Sequence, residues 1–238
     1  MINSGLRLSL LDRSRTRAGE AEPAALRGTV ARAGRAERLG YDRFWVAEHH
    51  GVPGIAGSAP AVLLTAVAGA TRTIRIGSAG VMLPHHQPLV VAEQFATLSA
   101  FAPGRVDLGL GRSPGFTAPV RRALRQTDND FAADLEELRG FLDGTSEVGL
   151  HPQPDGPVPL YVLATGTGLR IAAELGLPVI VGGPLLGIGG DQAPGLEALA
   201  GYRRAFRPSP QQPQPWVAVS LDVLVADTPT EAADLLLP

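Results

Sequence analysis

Two short stretches of the sequence combine side chains that could do chemistry. In the first, Glu48 and His49 follow a short apolar run, and a carboxylate beside an imidazole can act as a general base with its orienting partner. In the second, Arg112 follows another apolar run and enters a turn of glycine, serine and proline, where its planar fork would match a phosphate group. For each stretch the alternative is an exposed charged loop with no chemical role.

The segment that leads into Arg112 alternates between apolar residues and residues that are small or acidic. The apolar set is Val106, Leu108 and Leu110, and the other set is Asp107, Gly109 and Gly111. This period of two predicts a strand with one aliphatic face and one almost bare face. Two glycines on one face indicate that something approaches the backbone closely. A flat ligand with a phosphate tail would suit this face, and a buried structural strand is the alternative.

Other candidate sites rest on weaker patterns. Adjacent histidines occur at 49–50 and 85–86, but neighbouring side chains on an extended segment point in opposite directions, so we predict no metal site. The turn at 165–168, Thr-Gly-Thr-Gly, precedes a predicted helix. Its amides could bind phosphate at the helix N-terminus, and an ordinary helix cap fits equally well.

The composition excludes several classes of chemistry. The 238 residues include no lysine and no cysteine, which removes Schiff-base chemistry, a Walker-type lysine, thiolate catalysis and disulfides. The net charge of -2 offers no electrostatic argument for nucleic acid or an anionic membrane. No apolar run approaches the roughly 20 residues of a membrane span, and the N-terminus is too short and polar for a signal sequence. We therefore expect a cytoplasmic protein without nucleic-acid or membrane partners.

Strands and helices are predicted to alternate seven times along the chain. The predicted strands cover residues 6–11, 44–47, 74–83, 105–111, 160–163, 178–181 and 216–226. This alternation predicts an α/β fold with parallel strands and helical crossovers. Two architectures fit it, an open doubly wound sheet and a (β/α)₈ barrel, and a complete barrel would need an eighth unit. In both, ligands bind at the carboxyl ends of the strands, which is where Glu48, His49 and Arg112 are expected.

Four segments taken together resemble the bacterial luciferase-like monooxygenase family. They are residues 41–50, 76–84, 92–94 and 103–112, and their order and spacing also match. The resemblance is strong over residues 6–115 and weaker beyond them. It implies a TIM (β/α)₈-type barrel that is incomplete at its C-terminus. Residues 1–238 would form a single domain of about seven βα units, with the eighth absent.

The resemblance implies a flavin-dependent monooxygenase that uses reduced FMN and O₂ to oxygenate a small organic substrate. Two alternatives are a deazaflavin-dependent oxidoreductase and a shortened, non-catalytic flavin-binding barrel. The sequence carries no nicotinamide-binding fingerprint, so reduced flavin would come from a separate flavin reductase. The unpaired strand edges of a shortened barrel and the habits of the family favour a homodimer.

The resemblance also implies roles for individual residues. His49 would lie at the reactive edge of the flavin, with Glu48 beside it as the second catalytic residue. A cis peptide bond between Ala79 and Gly80 would lie behind the flavin ring, and Arg112 would bind the phosphate. The full set of implied cofactor-binding residues is Ser78, Ala79, Gly80, Gly109, Gly111, Arg112, Thr165 and Gly168.

Asp107 receives a structural interpretation. In a barrel its carboxylate would face the lumen, opposite the aliphatic face of its strand, and Arg75 on the preceding strand would be within reach. We predict a structural ion pair between Asp107 and Arg75 that lies deep in the barrel and away from the substrate.

Overall fold

The computed structural model describes residues 5–17, 19–115, 117–125, 130–164, 166–187, 194–209 and 211–234. Its strands are β1 (Ser9–Asp12), β2 (Arg43–Val46), β3 (Arg75–Met82), β4 (Val106–Gly111), β5 (Leu160–Leu163), β6 (Val179–Gly182) and β7 (Val217–Ser220). Its helices are α1 (Glu22–Arg38), α2 (Pro60–Ala70), α3 (Pro88–Phe101), α4 (Ala118–Ala123), α5 (Phe131–Leu142), α6 (Thr167–Glu174), α7 (Pro194–Ala205) and α8 (Pro229–Asp234). Short 3₁₀ turns at Leu83–His85 and Gly183–Leu186 follow β3 and β6. Within the described ranges, no helix combines the length and the hydrophobicity that crossing a bilayer requires.

The seven strands form one sheet in sequential order from β1 to β7. Each strand pairs in parallel with the next one along the chain. A doubly wound sheet would reverse its strand order at a switch point, so this order identifies a barrel wall and confirms the predicted incomplete (β/α)₈-type barrel. The edge strands of the described sheet are β1 and β7. Arg13, which follows β1, forms an ion pair with Asp222, which lies beyond the end of β7. The barrel is therefore nearly closed.

Proline and glycine mark several of the helix boundaries. Pro23, Pro60 and Pro88 lie in the first turns of α1, α2 and α3, where a missing backbone N–H leaves no helical hydrogen bond unmade. Gly40 follows the end of α1 with a φ of +79°, a conformation that glycine adopts without steric cost.

Strand β7 is shorter than the predicted strand at 216–226. It ends at Ser220, because its pairing partner β6 ends at Gly182. The apolar alternation continues beyond this point, but Val223 and Val225 are exposed. The pattern alone could not show where the neighbouring strand stops. The last predicted helix, at 228–237, begins at Pro229, and its predicted end lies outside the described residues.

The two faces of the sheet carry different side chains. The outward face packs against the helices and includes Val106, Leu108 and Leu110 of β4, as the period of two predicted. A smaller inner cluster consists of Trp45, Ala79 and Tyr161, with Leu11, Leu163, Ile180 and Trp216 packed against it. The lumen is therefore filled with aromatic and aliphatic side chains at this level, as in other closed barrels.

A buried ion cluster lies in the lumen near the amino ends of the strands. The guanidinium of Arg75 donates to both oxygens of Asp107, over 2.5 and 2.9 Å, which confirms the predicted ion pair. Arg43 on β2 donates to the same carboxylate over 3.1 Å and lies over the rings of Tyr161 and Trp216. The hydrogen bond to Asp107 raises the pKa of Arg75 above its ordinary value. The carboxylate of Asp107 on β4 thus joins three neighbouring strands, β2, β3 and β4, on the inside of the barrel.

Glu37 at the end of α1 binds the backbone of the turn that leads into β3. Its Oε1 accepts hydrogen bonds from the amides of Arg72, Thr73 and Ile74 over 2.9, 2.6 and 3.0 Å, and from the Thr73 hydroxyl over 3.1 Å. Burial opposes ionisation, but these hydrogen bonds outweigh it and lower the pKa of Glu37 from 4.5 to about 2. The ionised side chain therefore stabilises the α2–β3 turn.

We expect Glu37→Gln to lower the free energy of unfolding by about 1–2 kcal/mol at pH 7, because a charged acceptor is replaced by a neutral one. The pKa is lower in the folded state, so this contribution is complete above pH 4.5 and is lost as the pH falls toward about 2. Urea unfolding of parent and variant between pH 7 and pH 2 measures the difference. Glu174→Gln, which removes an exposed pair with Arg170, is the control and should change stability by less than about 0.5 kcal/mol. A constant difference across this pH range would contradict the prediction.

Candidate active site

The sequence candidates come together at the carboxyl ends of β2, β3, β4 and β5. These four strands are consecutive neighbours in a parallel sheet, so the segments that follow them meet at one end of the barrel. Glu48 and His49 follow β2, Gly80 lies near the end of β3, and Arg112 directly follows β4. Thr167 begins the helix that follows β5. The strand order therefore places His49, Gly80 and Arg112 at the same end of the barrel, and their assignment to one site stays a prediction.

Glu48 is the centre of a hydrogen-bonded cluster at this mouth. Its side chain is fully buried, and its carboxylate lies 2.8 Å from Nε2 of His50 and 3.0–3.1 Å from Nε2 of His86. The amide of Met82 donates to it over 3.1 Å. Burial opposes ionisation, but the bond and the charge of His86, and the bonds from His50 and Met82, lower the pKa of Glu48. Glu48 is thus an ionised acceptor that fixes two imidazoles and the end of β3.

His49 lies beside this cluster with its side chain half-buried. Its amide donates to the carbonyl of Gly57 over 2.8 Å. Burial and then the positive charge of Arg13 lower the pKa of His49, while the negative charge of Glu48 opposes them. The imidazole is therefore neutral near pH 7 and can accept a proton.

Two loop segments pair with each other beside His49. Residues 13–17 run antiparallel to residues 54–57, with a bridge between Arg15 and Ile55. The amide of Thr16 donates to the carbonyl of Gly54, and the amide of Ala56 donates to the carbonyl of Ser14. This ribbon is joined to His49, because the carbonyl of Gly57 accepts a hydrogen bond from the amide of His49.

His85 and His86, in the turn after β3, complete the group of imidazoles. The ring of His85 meets that of His50 edge to face, with 5.9 Å between ring centroids. Burial lowers the pKa of His85, and a bond with the backbone of Ser113 opposes this shift. Among the described residues its buried Nδ1 atom has no hydrogen-bond partner. A buried polar atom of this kind is typical of a site that a ligand completes.

Two of the predicted cofactor-binding residues, Ser78 and Gly109, contact each other where β3 pairs with β4. The register between the strands shifts between Ala79 and Val81, and the peptide bond from Ala79 to Gly80 is cis, as the family resemblance implied. The buried hydroxyl of Ser78 donates to the carbonyl of Gly109 over 2.8 Å and accepts from its amide over 3.2 Å. Ser78 therefore joins the two strands.

Gly109 leaves room for the neighbouring backbone. A Cβ atom at this position would lie 2.2 Å from the carbonyl oxygen of Ser78. The close approach that the glycine pattern indicated is therefore made at Gly109 by β3 itself. At Gly111 a Cβ atom would meet the end of the flexible Met82 side chain at 2.6 Å, and at Gly80 it would meet the carbonyl oxygen of Gly109 at 2.8 Å.

We expect Gly109→Ala to lower the free energy of unfolding by about 1–3 kcal/mol, because the added methyl group forces two paired strands apart. Gly69→Ala is the matched control, since a Cβ atom at Gly69 would meet nothing within 4 Å on helix α2. There the same substitution should raise stability by up to about 1 kcal/mol through helix propensity. Urea denaturation of both variants measures the two effects. Equal effects at the two positions would contradict this explanation.

Arg112 and the start of α6 form a group of donors suited to a phosphate. The exposed guanidinium of Arg112 donates to the hydroxyl of Thr167. Gly166, with a φ of +52°, precedes the helix, and Gly168 lies in its first turn. The first backbone N–H groups of a helix have no partner within it, so their amides, the hydroxyl and the guanidinium can bind one anion together. Thr165, the other residue predicted here, lies outside the described residues.

Sequence reasoning missed Thr167 and the two histidines that bind Glu48. Helix α6 was predicted from Leu169 and begins two residues earlier, at Thr167. The signal was available in the Thr-Gly-Thr-Gly turn, whose second threonine is a helix-terminal residue. His50 and His86 belong to the adjacent histidine pairs that were considered for metal binding, and only the folded chain brings both to one carboxylate.

Two cavities in the described part of the chain lie away from these residues. One of about 530 Å³ borders Glu37, Asp42 and Arg75, and one of about 250 Å³ borders Arg139 and Tyr161. Both open at the amino ends of the strands, whereas barrel enzymes place their chemistry at the carboxyl ends. The side chains at the mouth, rather than the size of a cavity, therefore identify the candidate site.

Known proteins are similar to this chain in sequence and in fold. Residues 6–238 match the family model described as luciferase-like monooxygenase. A protein of Escherichia coli K12 named luciferase-like monooxygenase is 38% identical in an alignment that covers 98% of this chain and 70% of the relative. The N-acetyl-S-alkylcysteine monooxygenase of Bacillus subtilis is 42% identical over 213 residues, which cover 84% of this chain and 62% of the relative.

Solved structures agree with these relationships. The crystal structure of apo-MsnO8 superposes with a TM-score of 0.86 at 37% identity, covering 95% of this chain and 68% of that protein. The oxygenating component of 3,6-diketocamphane monooxygenase from Pseudomonas putida, solved in complex with FMN, shares the fold with a TM-score of 0.72 at 18% identity. It covers 97% of this chain and 70% of that protein.

Proposed function

The chain belongs to the luciferase-like monooxygenase family, and we propose that it is a flavin-dependent monooxygenase that uses reduced FMN and O₂ to oxygenate a small organic substrate. The observation that carries this proposal is the donor group of Arg112, Thr167 and the first turn of α6, which lies at the same mouth as His49 and the Glu48 cluster. The donors fit the phosphate monoester of FMN, and the imidazoles fit a site of proton transfer.

In this proposal each residue of the mouth has one task. A bound reduced flavin supplies the two electrons that convert one oxygen atom of O₂ to water while the other enters the substrate. Arg112 and Thr167 bind the phosphate, and Glu48 holds His50 and His86 in fixed orientations. His49, which is neutral, accepts a proton at one of its ring nitrogens.

The first test is cofactor binding. We expect Arg112→Gln to raise the Kd for FMN about 10- to 100-fold, since a charge-assisted hydrogen bond to the phosphate is lost. Quenching of FMN fluorescence measures the Kd. Arg170→Gln is the control. Arg170 lies on α6, the helix that Thr167 begins, and it pairs with Glu174 at the surface. An unchanged Kd in Arg112→Gln would place the phosphate elsewhere.

The second test is turnover. A separate flavin reductase with a nicotinamide cofactor supplies reduced FMN, and oxygen uptake is measured with and without substrate. The relative of Bacillus subtilis named N-acetyl-S-alkylcysteine monooxygenase makes N-acetyl-S-benzylcysteine a suitable first substrate. Oxygenated product that depends on both FMN and this protein supports the proposal. Tight FMN binding without turnover of any substrate would favour the alternative of a non-catalytic flavin-binding barrel.

A deazaflavin is the second candidate cofactor. An F420-dependent glucose-6-phosphate dehydrogenase of Beutenbergia cavernae is 33% identical over 181 residues, which cover 66% of this chain and 52% of that relative. Such an enzyme would transfer hydride and would not consume O₂. Parallel titrations with FMN and F420, each followed by fluorescence, decide between the two cofactors. Preference for F420 by tenfold or more (about 1.4 kcal/mol) would replace the monooxygenase proposal with an oxidoreductase.

We also propose that the protein forms a homodimer, which sedimentation equilibrium at micromolar concentration tests directly. A mass near 24.8 kDa at every concentration would contradict this, and a mass near twice that value supports it.

A further inference from the structure

Arg13 is a charged residue at the mouth that the proposed function has not used. It directly follows β1, and Leu11, two residues before it, belongs to the inner cluster of the barrel. The alternation of a strand therefore directs Arg13 toward the inside of the mouth. The carboxylate between them, Asp12, faces the other way and binds Arg32 and Thr29 of α1. Asp12 therefore pairs with side chains of α1 and not with the guanidinium of Arg13.

The ion-pair partner of Arg13 is a weakly held carboxylate. Asp222, beyond the end of β7, is 76% exposed, whereas the side chain of Arg13 is only 29% exposed. An exposed carboxylate of this kind contributes little net stability, because water and salt compete for it. Asp222 is therefore a counter-ion that a better-placed anion can replace.

The backbone around Arg13 is held in place. Its carbonyl oxygen packs against Gly57, where a Cβ atom would approach it to 3.2 Å. The residues that follow it form the antiparallel ribbon with residues 54–57, and Gly57 in turn accepts the hydrogen bond from the amide of His49. The backbones of Arg13 and His49 thus both contact Gly57, which places the two residues in the same part of the mouth.

We propose that Arg13 forms an anion-binding subsite, which anchors the carboxylate of a substrate beside His49 after displacing Asp222. This subsite is separate from the donors at Arg112 and Thr167, which lie after β4 and at the start of α6 on the other side of the mouth. Arg13 and His49 both contact Gly57 through their backbones, and this proximity agrees with the lowering of the pKa of His49 by the charge of Arg13. The substrate class is therefore small organic acids, and this assignment rests on the proposed function.

A matched pair of ligands tests the subsite. N-acetyl-S-benzylcysteine carries a carboxylate, and its methyl ester has the same shape without the charge. We expect isothermal titration calorimetry to show that the acid binds at least about tenfold more tightly than the ester, because only the acid forms the charge-assisted pair. Arg13→Gln should remove this difference. Arg15→Gln, an exposed arginine in the same ribbon, is the control and should retain it.

A third variant tests the displacement. Asp222→Asn removes the competing counter-ion, so we expect the acid to bind about two- to fivefold more tightly and the ester to be unchanged. Thermal unfolding of each variant confirms that the fold is intact. Equal affinities of acid and ester, no binding of either at 10 mM (a Kd that corresponds to about -3 kcal/mol), or a difference that survives Arg13→Gln would each overturn the subsite.

The same titrations separate this inference from the proposed function. They are performed with and without FMN, and the Kd for FMN is measured independently. Preference for the acid without any FMN binding would support the subsite and refute the flavin proposal. FMN binding that Arg13→Gln leaves unchanged, with no preference for the acid in the parent protein, would refute the subsite alone.

Discussion

Replacement of His49 by alanine is expected to lower kcat of the FMN-loaded protein by about 10²- to 10⁴-fold, the contribution of a positioned proton acceptor. The Kd for FMN should change by less than about threefold, because the phosphate donors lie at Arg112 and Thr167. Stopped-flow oxidation of bound reduced FMN and product analysis measure the two effects separately. This separation distinguishes a residue that takes part in the reaction from one that binds the cofactor.

The expected pH dependence follows from the surroundings of His49. Burial and the charge of Arg13 lower its pKa, and a proton acceptor works only in its neutral form. Activity should therefore persist to lower pH than an ordinary histidine would allow, and it should decline as the pH falls through the lowered pKa. Arg13→Gln removes one cause of the shift, so its profile should decline at higher pH than that of the parent.

His151→Gln is the control for the histidine substitution. His151 is exposed and lies between α5 and β5, at the other end of the barrel. It should retain the activity of the parent. A comparable loss in both variants, or full activity in His49→Ala, would contradict the role of His49 as the proton acceptor.

Replacement of Asp107 by asparagine is expected to lower the free energy of unfolding by about 3–5 kcal/mol, the cost of removing one partner from a buried ion pair. The carboxylate is 1% exposed and receives hydrogen bonds from both Arg43 and Arg75. Asparagine keeps the shape but not the charge. The two guanidinium groups would then face each other in the lumen without their shared anion, and their mutual repulsion adds to the loss.

Urea unfolding followed by circular dichroism measures the effect of Asp107→Asn. Glu197→Gln is the control, because it removes an ion pair with Arg204 in which both side chains are more than half exposed. That change should cost less than about 1 kcal/mol. A loss below 1 kcal/mol in Asp107→Asn would show that water in the lumen solvates Arg43 and Arg75. It would contradict the view that this ion cluster stabilises the barrel.

The sequence indicated where the residues of the candidate site lie along the chain, but it did not indicate their contacts. The positions of Glu48, His49 and Arg112 after their strands followed from the alternation of apolar residues, which is a local property. The partners of Glu48 could not be read in this way, because His86 lies on a different strand end and 38 residues separate the two. Ser78 was assigned to the cofactor, yet its hydroxyl joins β3 to β4, and no local pattern distinguishes these two uses of a serine.

The sequence by itself determined the α/β class of the fold, the alternation of its strands and helices along the chain, and the strand ends at which a site is predicted. These properties depend on patterns with a period of 2 or 3.6 residues and on proline and glycine at element boundaries. They also include the pairing of Asp107 with Arg75, because strand alternation places both in the lumen on adjacent strands.

The tertiary structure alone decided which side chains act on each other across strands. It joined His50 and His86 through Glu48, set Thr167 against Arg112, and brought Asp222 to Arg13 across the two edges of the sheet. The physical reason is that these interactions depend on strand register and on where a neighbouring strand ends. Both are set by packing between segments that are far apart in the chain, so no window of sequence contains them.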